Sequence, residues 1–405
     1  MRFRSVSKPW KSLIDSSHFV SDYNLRPTQS HLFIMYEDTG EGGLKCVSVV
    51  NDDTFPEHVS DISAVIPNSV KNMSGSSLVG SSQGLLCFYG YRYAVIWNPS
   101  IRKSFEFKLP HDDVLTDHQY KNVFGFGVCP KTREPKLVMI SFPQKPLETQ
   151  NWTIDVFTTM SRLWRNPCIQ SNMRCWKNQS ISKISNVLCK SLQLSSSNEC
   201  VGEFIYWCAF NTDDALWVVI SFDVTNEEFG IIHLPKSIAR YKYMDLSKYK
   251  ESLVLLPHDY NIAKHDYDVW MMEGGTTKSF KRLFTINTTY DCVKTMAFSY
   301  NGEAILERLQ YYRKDNVASV DIYEPSSKCF KCSGIRGIEG SFSMSSYMET
   351  LFLDIKLYIE LLPSSKKSVS LTTPIVVVLL HLVRFSVDVE NDALTVSQII
   401  DIKYG

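Results

Sequence analysis

One pattern returns five times along the chain: an apolar strand, an aromatic residue, a polar turn, then a second aromatic opening another strand. It appears as "YAVIWNPSIRKSFEFKLP" from Tyr93, "WTIDVFTTMSRLWRNP" from Trp152 and "LWVVISFDVTNEEFGIIHLP" from Leu216. It returns as "DYDVWMMEGGTTKSFKRLF" from Asp266 and "VASVDIYEPSSKCFKCSGI" from Val317. The leading aromatics Trp97, Phe157, Phe222, Trp270 and Tyr323 are 60, 65, 48 and 53 residues apart. Spacing of this order, with one hairpin per repeat, points to a repeat architecture rather than independent domains. The turns have a mechanism: Pro99 and Pro325 preset φ at the second turn position, and Gly274-Gly275 supplies permissive backbone.

A further apolar run precedes each hairpin: "GLLCFYG" (84–90), "KLVMISF" (136–142), "EFIYWCAF" (203–210), "SLVLLPH" (252–258) and "EAILERLQ" (303–310). Ahead of these lie short segments such as "NVFGFGVCP" (122–130) and "KTMAFSYNG" (294–302). Each unit thus offers about four strands in about fifty residues, the size of a kelch-like propeller blade. Before the first unit, "HLFIMYE" (31–37), "LKCVSVV" (44–50) and "DISAVIP" (61–67) supply three strands without a fourth. After the last, "SFSMSSYMETLFLDI" (341–355) is strand material without a hairpin. Joining the late strand to the early three completes a sixth blade and removes two sheet edges that would otherwise recruit other chains. The fold expected is mainly β, a six-bladed kelch-like propeller; a pair of β-sandwiches is the alternative.

The first thirteen residues, "MRFRSVSKPWKSL", read differently. Phe3, Val6, Trp10 and Leu13 recur at three- and four-residue steps and share one helical face, with Pro9 awkward within it. So short an apolar stripe needs a surface to pack on. That surface is either a partner or the propeller, which the helix would then plug.

Charge excludes some classes. Lys+Arg and Asp+Glu number 43 each, which argues against a nucleic-acid binder or a polybasic membrane protein. No apolar h-region follows the basic start, and "PIVVVLLHLV" (374–383) is about half a membrane span and carries His381. Eleven scattered cysteines fit reduced, buried thiols better than a disulfide framework. The N-x-S/T triplets at Asn72, Asn151, Asn178 and Asn287 then read as chance matches. The location expected is cytoplasmic or nuclear, with no membrane and no nucleic-acid partner.

No catalytic constellation stands out. Cys329-x-x-Cys332 lacks a second pair at zinc spacing. His111-Asp112-Asp113 with Asp117-His118, and His258-Asp259 with His265-Asp266, read as solvated loops rather than metal sites. There is no G-x-S-x-G, H-E-x-x-H or phosphate-cradling glycine loop, and β flexibility accounts for the glycines of "FGFGV" (124–128). Trp97, Trp164, Trp217 and Trp270 are either a ligand cage or, at repeat-equivalent positions, packing between blades. A propeller enzyme would bring carboxylates or metal ligands into the central channel, yet the innermost segments "GFGV" and "MAFS" are small or apolar. No catalytic, metal or cofactor residue is assigned. Recognition falls to loops, with 38–43, 111–121, 143–150, 211–215 and 259–265 as candidates.

Three places resemble the large plant family of F-box proteins that carry an F-box-associated, kelch-like domain. "RFRSVSKPWKSLIDSSHFVSDY" (2–23) is similar to the end of an F-box, whose last helix reads Arg-x-x-x-Val-x-Lys-x-Trp-x-x-Leu/Ile; Arg2, Val6, Lys8, Trp10 and Leu13 match it. "GSSQGLLCF" (80–88), "VIWNPSIRKSFEFKLP" (95–110) and "FGFGVCPKTREPKLVMI" (124–140) resemble the family's core, and "SFSMSSYMETLFL" (341–353) its ending. The first half of the F-box is missing because Met1 falls inside the motif, and residues 356–405 do not resemble the family. The resemblance implies an F-box remnant at 1–23, an F-box-associated propeller at 30–355 and an atypical extension at 356–405. It further implies a non-enzymatic substrate receptor of an SCF-type (cullin–RING) ubiquitin ligase. Val6, Trp10 and Leu13 would meet a Skp-type adaptor and, through it, cullin, while propeller loops hold a protein target. A propeller that no longer binds the adaptor is the second reading.

Overall fold

The computed structural model describes residues 29–351 apart from 41–42, 74, 111–119, 144–151, 167–190, 260–264, 275–277, 289–291 and 310–315. Val6, Trp10 and Leu13, the His111–His118 stretch and residues 356–405 therefore lie outside the described residues.

Strands come in groups of four. The first three are β1 (Ser30–Glu37), β2 (Leu44–Val50) and β3 (Val59–Asp61). Blade 2 comprises β4 (Ser77–Ser82), β5 (Leu85–Tyr89), β6 (Tyr93–Asn98) and β7 (Lys103–Lys108). Blade 3 comprises β8 (Tyr120–Val128), β9 (Pro135–Pro143), β10 (Thr153–Thr158) and β11 (Leu163–Arg165). Blade 4 comprises β12 (Leu192–Val201), β13 (Phe204–Asn211), β14 (Leu216–Asp223) and β15 (Glu228–His233). Blade 5 comprises β16 (Tyr243–Tyr249), β17 (Ser252–His258), β18 (His265–Glu273) and β19 (Ser279–Thr288). Blade 6 comprises β20 (Cys292–Phe298), β21 (Ala304–Leu309), β22 (Val317–Glu324) and β23 (Cys329–Ile338). The last strand, β24 (Ser343–Met348), pairs antiparallel with β1 from Ser30↔Met348 to Met35↔Ser343, so blade 1 has the order β24-β1-β2-β3.

This is the six-bladed ring expected from the repeats, closed by the late strand. The seam is specific. Tyr347 stacks on His31 with centroids 5.2 Å apart, and its hydroxyl is 2.8 Å from Ser48 Oγ. Beyond the strand, Asn98 Nδ2 donates to Thr350 O (3.0 Å), and within it Ser345 Oγ donates to Ser81 Oγ (2.8 Å), tying the seam to blade 2. Among the segments assigned to blade 1, the third early strand differs from expectation. β3 is three residues long and takes only Asp61 from "DISAVIP", whose Ser63–Val65 form a 3-10 turn leading to a short helix, α1 (Asn68–Lys71). Ile66 and Val70 still reach the core, but from a connection between blades.

Six hydrophobic clusters fill the six blade-to-blade interfaces. Alternation along a strand divides its side chains between two of them. Leu32 and Ile34 face blade 6, whereas Phe33 and Met35 face blade 2. Leu137 and Met139 join the interface of blades 2 and 3, whereas Val138 and Ile140 join that of blades 3 and 4. Strands buried on both faces explain the continuous apolar runs in the sequence. The paired aromatics of the hairpins are cross-strand partners in blades 3, 4 and 6: Phe157↔Trp164, Phe222↔Phe229 and Tyr323↔Phe330.

The hairpin turn itself recurs. Its fifth residue lies at φ +55 to +59° as Arg102, Arg162, Glu227 and Lys328, none of them glycine. Asn98 Oδ1 accepts from the N–H of Ser100 (2.8 Å) and Asp223 Oδ1 from that of Thr225 (2.8 Å), so a short polar side chain at the first position closes the turn. The proline preset is thus one of two devices.

Blades are also locked by polar contacts. Buried Lys136 of blade 3 donates to Val224 O (2.7 Å) and pairs with Glu227 of blade 4 (2.7 Å), which Arg165 of blade 3 also contacts. The indole N–H of Trp207 in blade 4 donates to Phe124 O of blade 3 (2.9 Å). Gly125 stands where it must for that contact: a Cβ there would lie 2.7 Å from Ile205 Cγ2 and closer still to Trp207 Cζ2. The glycines of "FGFGV" therefore serve close approach between blades, not flexibility.

Candidate functional site

Strand polarity sorts the connections onto two faces. In every blade the first strand is innermost and successive strands run antiparallel. Connections from second to third strand and from one blade to the next therefore emerge on one face; those from first to second and from third to fourth emerge on the other. The strand ends that flank all five candidate recognition loops (38–43, 111–121, 143–150, 211–215 and 259–265) lie on the first, the loop face; 41–42, 111–119, 144–150 and 260–264 themselves lie outside the described residues. The second, the turn face, has brief connections such as 83–84, 202–203, 250–251 and 325–328. The described chain enters β1 at Ser30 and leaves β24 at Met348, both on the turn face.

The inner strands β24, β4, β8, β12, β16 and β20 surround a central channel with two chambers. The one at the turn face has a volume of about 1060 Å³ and is lined among others by Gln83, Lys248, Lys250, Tyr300 and Met348. The one toward the loop face has a volume of about 250 Å³ and is lined by the starts of the inner strands, including Val79, Ser195, Asp245 and Ser343. Glu199 and Cys200 line both and so mark the waist. β12 makes this waist by bulging: its pairing with β13 jumps from Leu194↔Ala209 to Asn198↔Trp207, leaving Ser195, Ser196 and Ser197 without partners in the ladder. Asn198 Nδ2 donates to Val79 O of β4 (3.0 Å), and Cys200 Sγ lies 3.6 Å from Ser82 Oγ.

The electrostatics of the waist follow from burial. Loss of water pushes the Glu199 carboxyl up to about 7, against the opposing pull of Lys248 and the Cys200 N–H. Burial likewise pushes the Cys200 thiol up to about 11. Lys248 pairs with Glu251 at 3.2 Å, and Lys250 Nζ lies 5.7 Å from the centroid of the Tyr249 ring. The innermost strands are thus more polar than "GFGV" and "MAFS" suggested, because β12 and β16 contribute Glu199, Asp245 and Lys248.

The other sequence candidates resolve into structure. Trp97, Trp164, Trp217 and Trp270 are divided among three blade interfaces and form no common cage. Trp164 and Trp217 donate their indole N–H groups to Lys108 O (2.8 Å) and Tyr241 O (3.0 Å). Their strand positions are not all equivalent, since Trp164 lies on a fourth strand and the others on third strands. Cys329 and Cys332 are exposed free thiols on the outer strand β23. His258 is buried and stacks on Tyr243 (5.4 Å), while Asp259 accepts from Lys242 N (2.6 Å). Among the described residues no three His, Cys, Asp or Glu side chains are grouped to hold a metal ion, and no helix is long and apolar enough to cross a membrane.

A ring of six such blades has a counterpart among known families: the family described as "F-box associated beta propeller domain" matches residues 31–355. The chain belongs to the F-box-associated β-propeller family. Putative F-box proteins of Arabidopsis thaliana are similar to it. One is 23% identical over 278 residues, covering 67% of this chain and 64% of the relative. A second is 26% identical over 238 residues, covering 58% of this chain and 55% of the relative. A third is 22% identical over 356 residues, covering 82% and 81%. The chain thus spans 64% and 55% of the length of the first two relatives.

Proposed function

We propose that this F-box-associated propeller is the substrate-recognition subunit of an SCF-type ubiquitin ligase. Its loop face holds a target protein, and the segment bearing Val6, Trp10 and Leu13 engages a Skp-type adaptor and, through it, cullin. The observation that carries the reading is the division of labour between the two faces. The strand ends flanking every candidate recognition loop are on one, and the described chain enters and leaves the ring by the other. An adaptor tethered through the N-terminal segment then approaches from the turn face and leaves the loop face open to the target. Such a receptor raises the local concentration of target near the conjugating enzyme and needs no reactive group of its own. It works in the cytoplasm or nucleus, where the ligase and its targets meet.

Co-purification with the Skp-type adaptor tests this. The full chain should retain the adaptor, and Trp10→Ala should release it. A full chain that retains no adaptor refutes the ligase assignment in favour of an interaction propeller acting outside the ligase.

A further inference from the structure

We propose that the loop-face chamber of the channel is a recognition pocket for a basic side chain, a lysine or arginine presented by the target protein. The proposal deepens the receptor reading, since it says which residue type the loop face admits.

Size comes first. At about 30 Å³ per water molecule, a volume of about 250 Å³ holds roughly eight waters, which suits one extended side chain. It is below the roughly 300–1,000 Å³ usual for drug-sized ligands and cofactors.

Charge comes second. Asp245 and Glu199 line the chamber, and neither has a Lys, Arg or His group within ion-pair distance among the described residues. Lys248, three residues along β16 from Asp245, faces the turn-face chamber and is engaged by Glu251 at 3.2 Å. The lining contributed by β4, β8, β20 and β24 is uncharged. An anion would meet the Asp245 carboxylate and, beside it, the partly ionised carboxyl of Glu199, whose charge Lys248 offsets only in part. An apolar group would leave them buried without a partner, which costs more than any packing it gains.

Hydrogen bonding comes third. Thr295 lines the same chamber, is 5% exposed, and its hydroxyl has no hydrogen-bond partner among the described residues. The bulged Ser195–Ser197 add further hydroxyls. A chamber rich in acceptors asks for a ligand made of donors, and guanidinium (five N–H) or ammonium (three) are the side-chain groups that only donate. Cys200 also lines the chamber, but among the described residues no three His, Cys, Asp or Glu side chains are grouped to hold a metal ion, so an organic cation fits better.

The test is a saturable thermal-shift titration of the full chain with N-acetyl-arginine amide, using the uncharged isostere N-acetyl-citrulline amide as control, at fixed ionic strength. The arginine probe should raise the melting temperature to a plateau, and citrulline amide should not. Asp245→Asn and Glu199→Gln, each of which preserves volume, should weaken the arginine response about tenfold or more. Having both variants keeps the test decisive if one of them melts too early. Equal responses to the two probes, no saturable response, or an unchanged response in both variants overturns the proposal. Because no adaptor is present, failure here leaves the ligase reading standing, and failure of the adaptor co-purification leaves the pocket standing.

Discussion

Replacing Gly125 with alanine adds a single methyl group to a packed interface between two blades and should destabilise the ring. The new Cβ would lie 2.7 Å from Ile205 Cγ2 and 3.0 Å from Trp207 Cη2, with Trp207 Cζ2 nearer still. Carbon atoms prefer about 3.5–4.0 Å, so several contacts fall short by about 1 Å. The indole cannot simply withdraw, because its N–H holds Phe124 O at 2.9 Å and the ring is fully buried. Overpacking costs about 1–3 kcal/mol, and loosening the buried hydrogen bond adds about 1 kcal/mol. The reduced freedom of the unfolded chain returns about 0.4–1 kcal/mol. The net expectation is a loss of about 2–3 kcal/mol, read from urea unfolding as a lower midpoint at unchanged m value. Trp207→Leu, destabilising alone, should cost at least about 1 kcal/mol less in the Gly125→Ala background, since the clash has gone. A neutral Gly125→Ala, or strict additivity in the double variant, would refute the close-approach account.

Three other outcomes test separate parts of the molecule. The Glu199 carboxyl is raised from 4.5 to about 7 in the folded chain, so its favourable contribution is complete below pH 4.5, declines as pH rises to 7, and is constant above. At about 1.4 kcal/mol per unit this is at most about 3 kcal/mol, so the stability difference between wild type and Glu199→Gln should change from pH 4.5 to 7.5; a constant difference contradicts it. Deleting residues 343–351 should open the β1 edge and give aggregates by size-exclusion chromatography, whereas a soluble truncation with cooperative melting would count against the closed ring. Lys136→Met should cost about 2 kcal/mol, less than a fully orphaned pair because Arg165 still reaches Glu227, and adding Glu227→Gln should recover part of it; a neutral Lys136→Met sinks the clamp.

Much of the ring was legible in the sequence because hairpins advertise themselves locally. Strands β6, β10, β14, β18 and β22 each carry their leading aromatic a few residues before a polar turn, so period and order could be read directly. The sixth blade was legible by subtraction: three early strands and one late one. What escaped was the inner ring. "LQLSSSNECV" has no two-residue alternation because it bulges at Ser195–Ser197, and "YMDLSKY" hides a strand among polar residues that face the channel. The role of Gly125 was illegible for another reason: Trp207, which dictates it, is in a different blade. The grouping of five candidate loops on one face needed only strand polarity, but it appeared only once the strand count of every blade was known.

The seam of blade 1 sets a timetable for the ribosome. Ser48 and Tyr347 bond across 299 positions of sequence, so β1 waits for its inner neighbour while the other five blades are made. Throughout that interval the nascent chain presents an unzipped strand margin, the kind of surface that chaperones guard. A chain that stops just short of Ser343 therefore has every blade begun and the circle never shut.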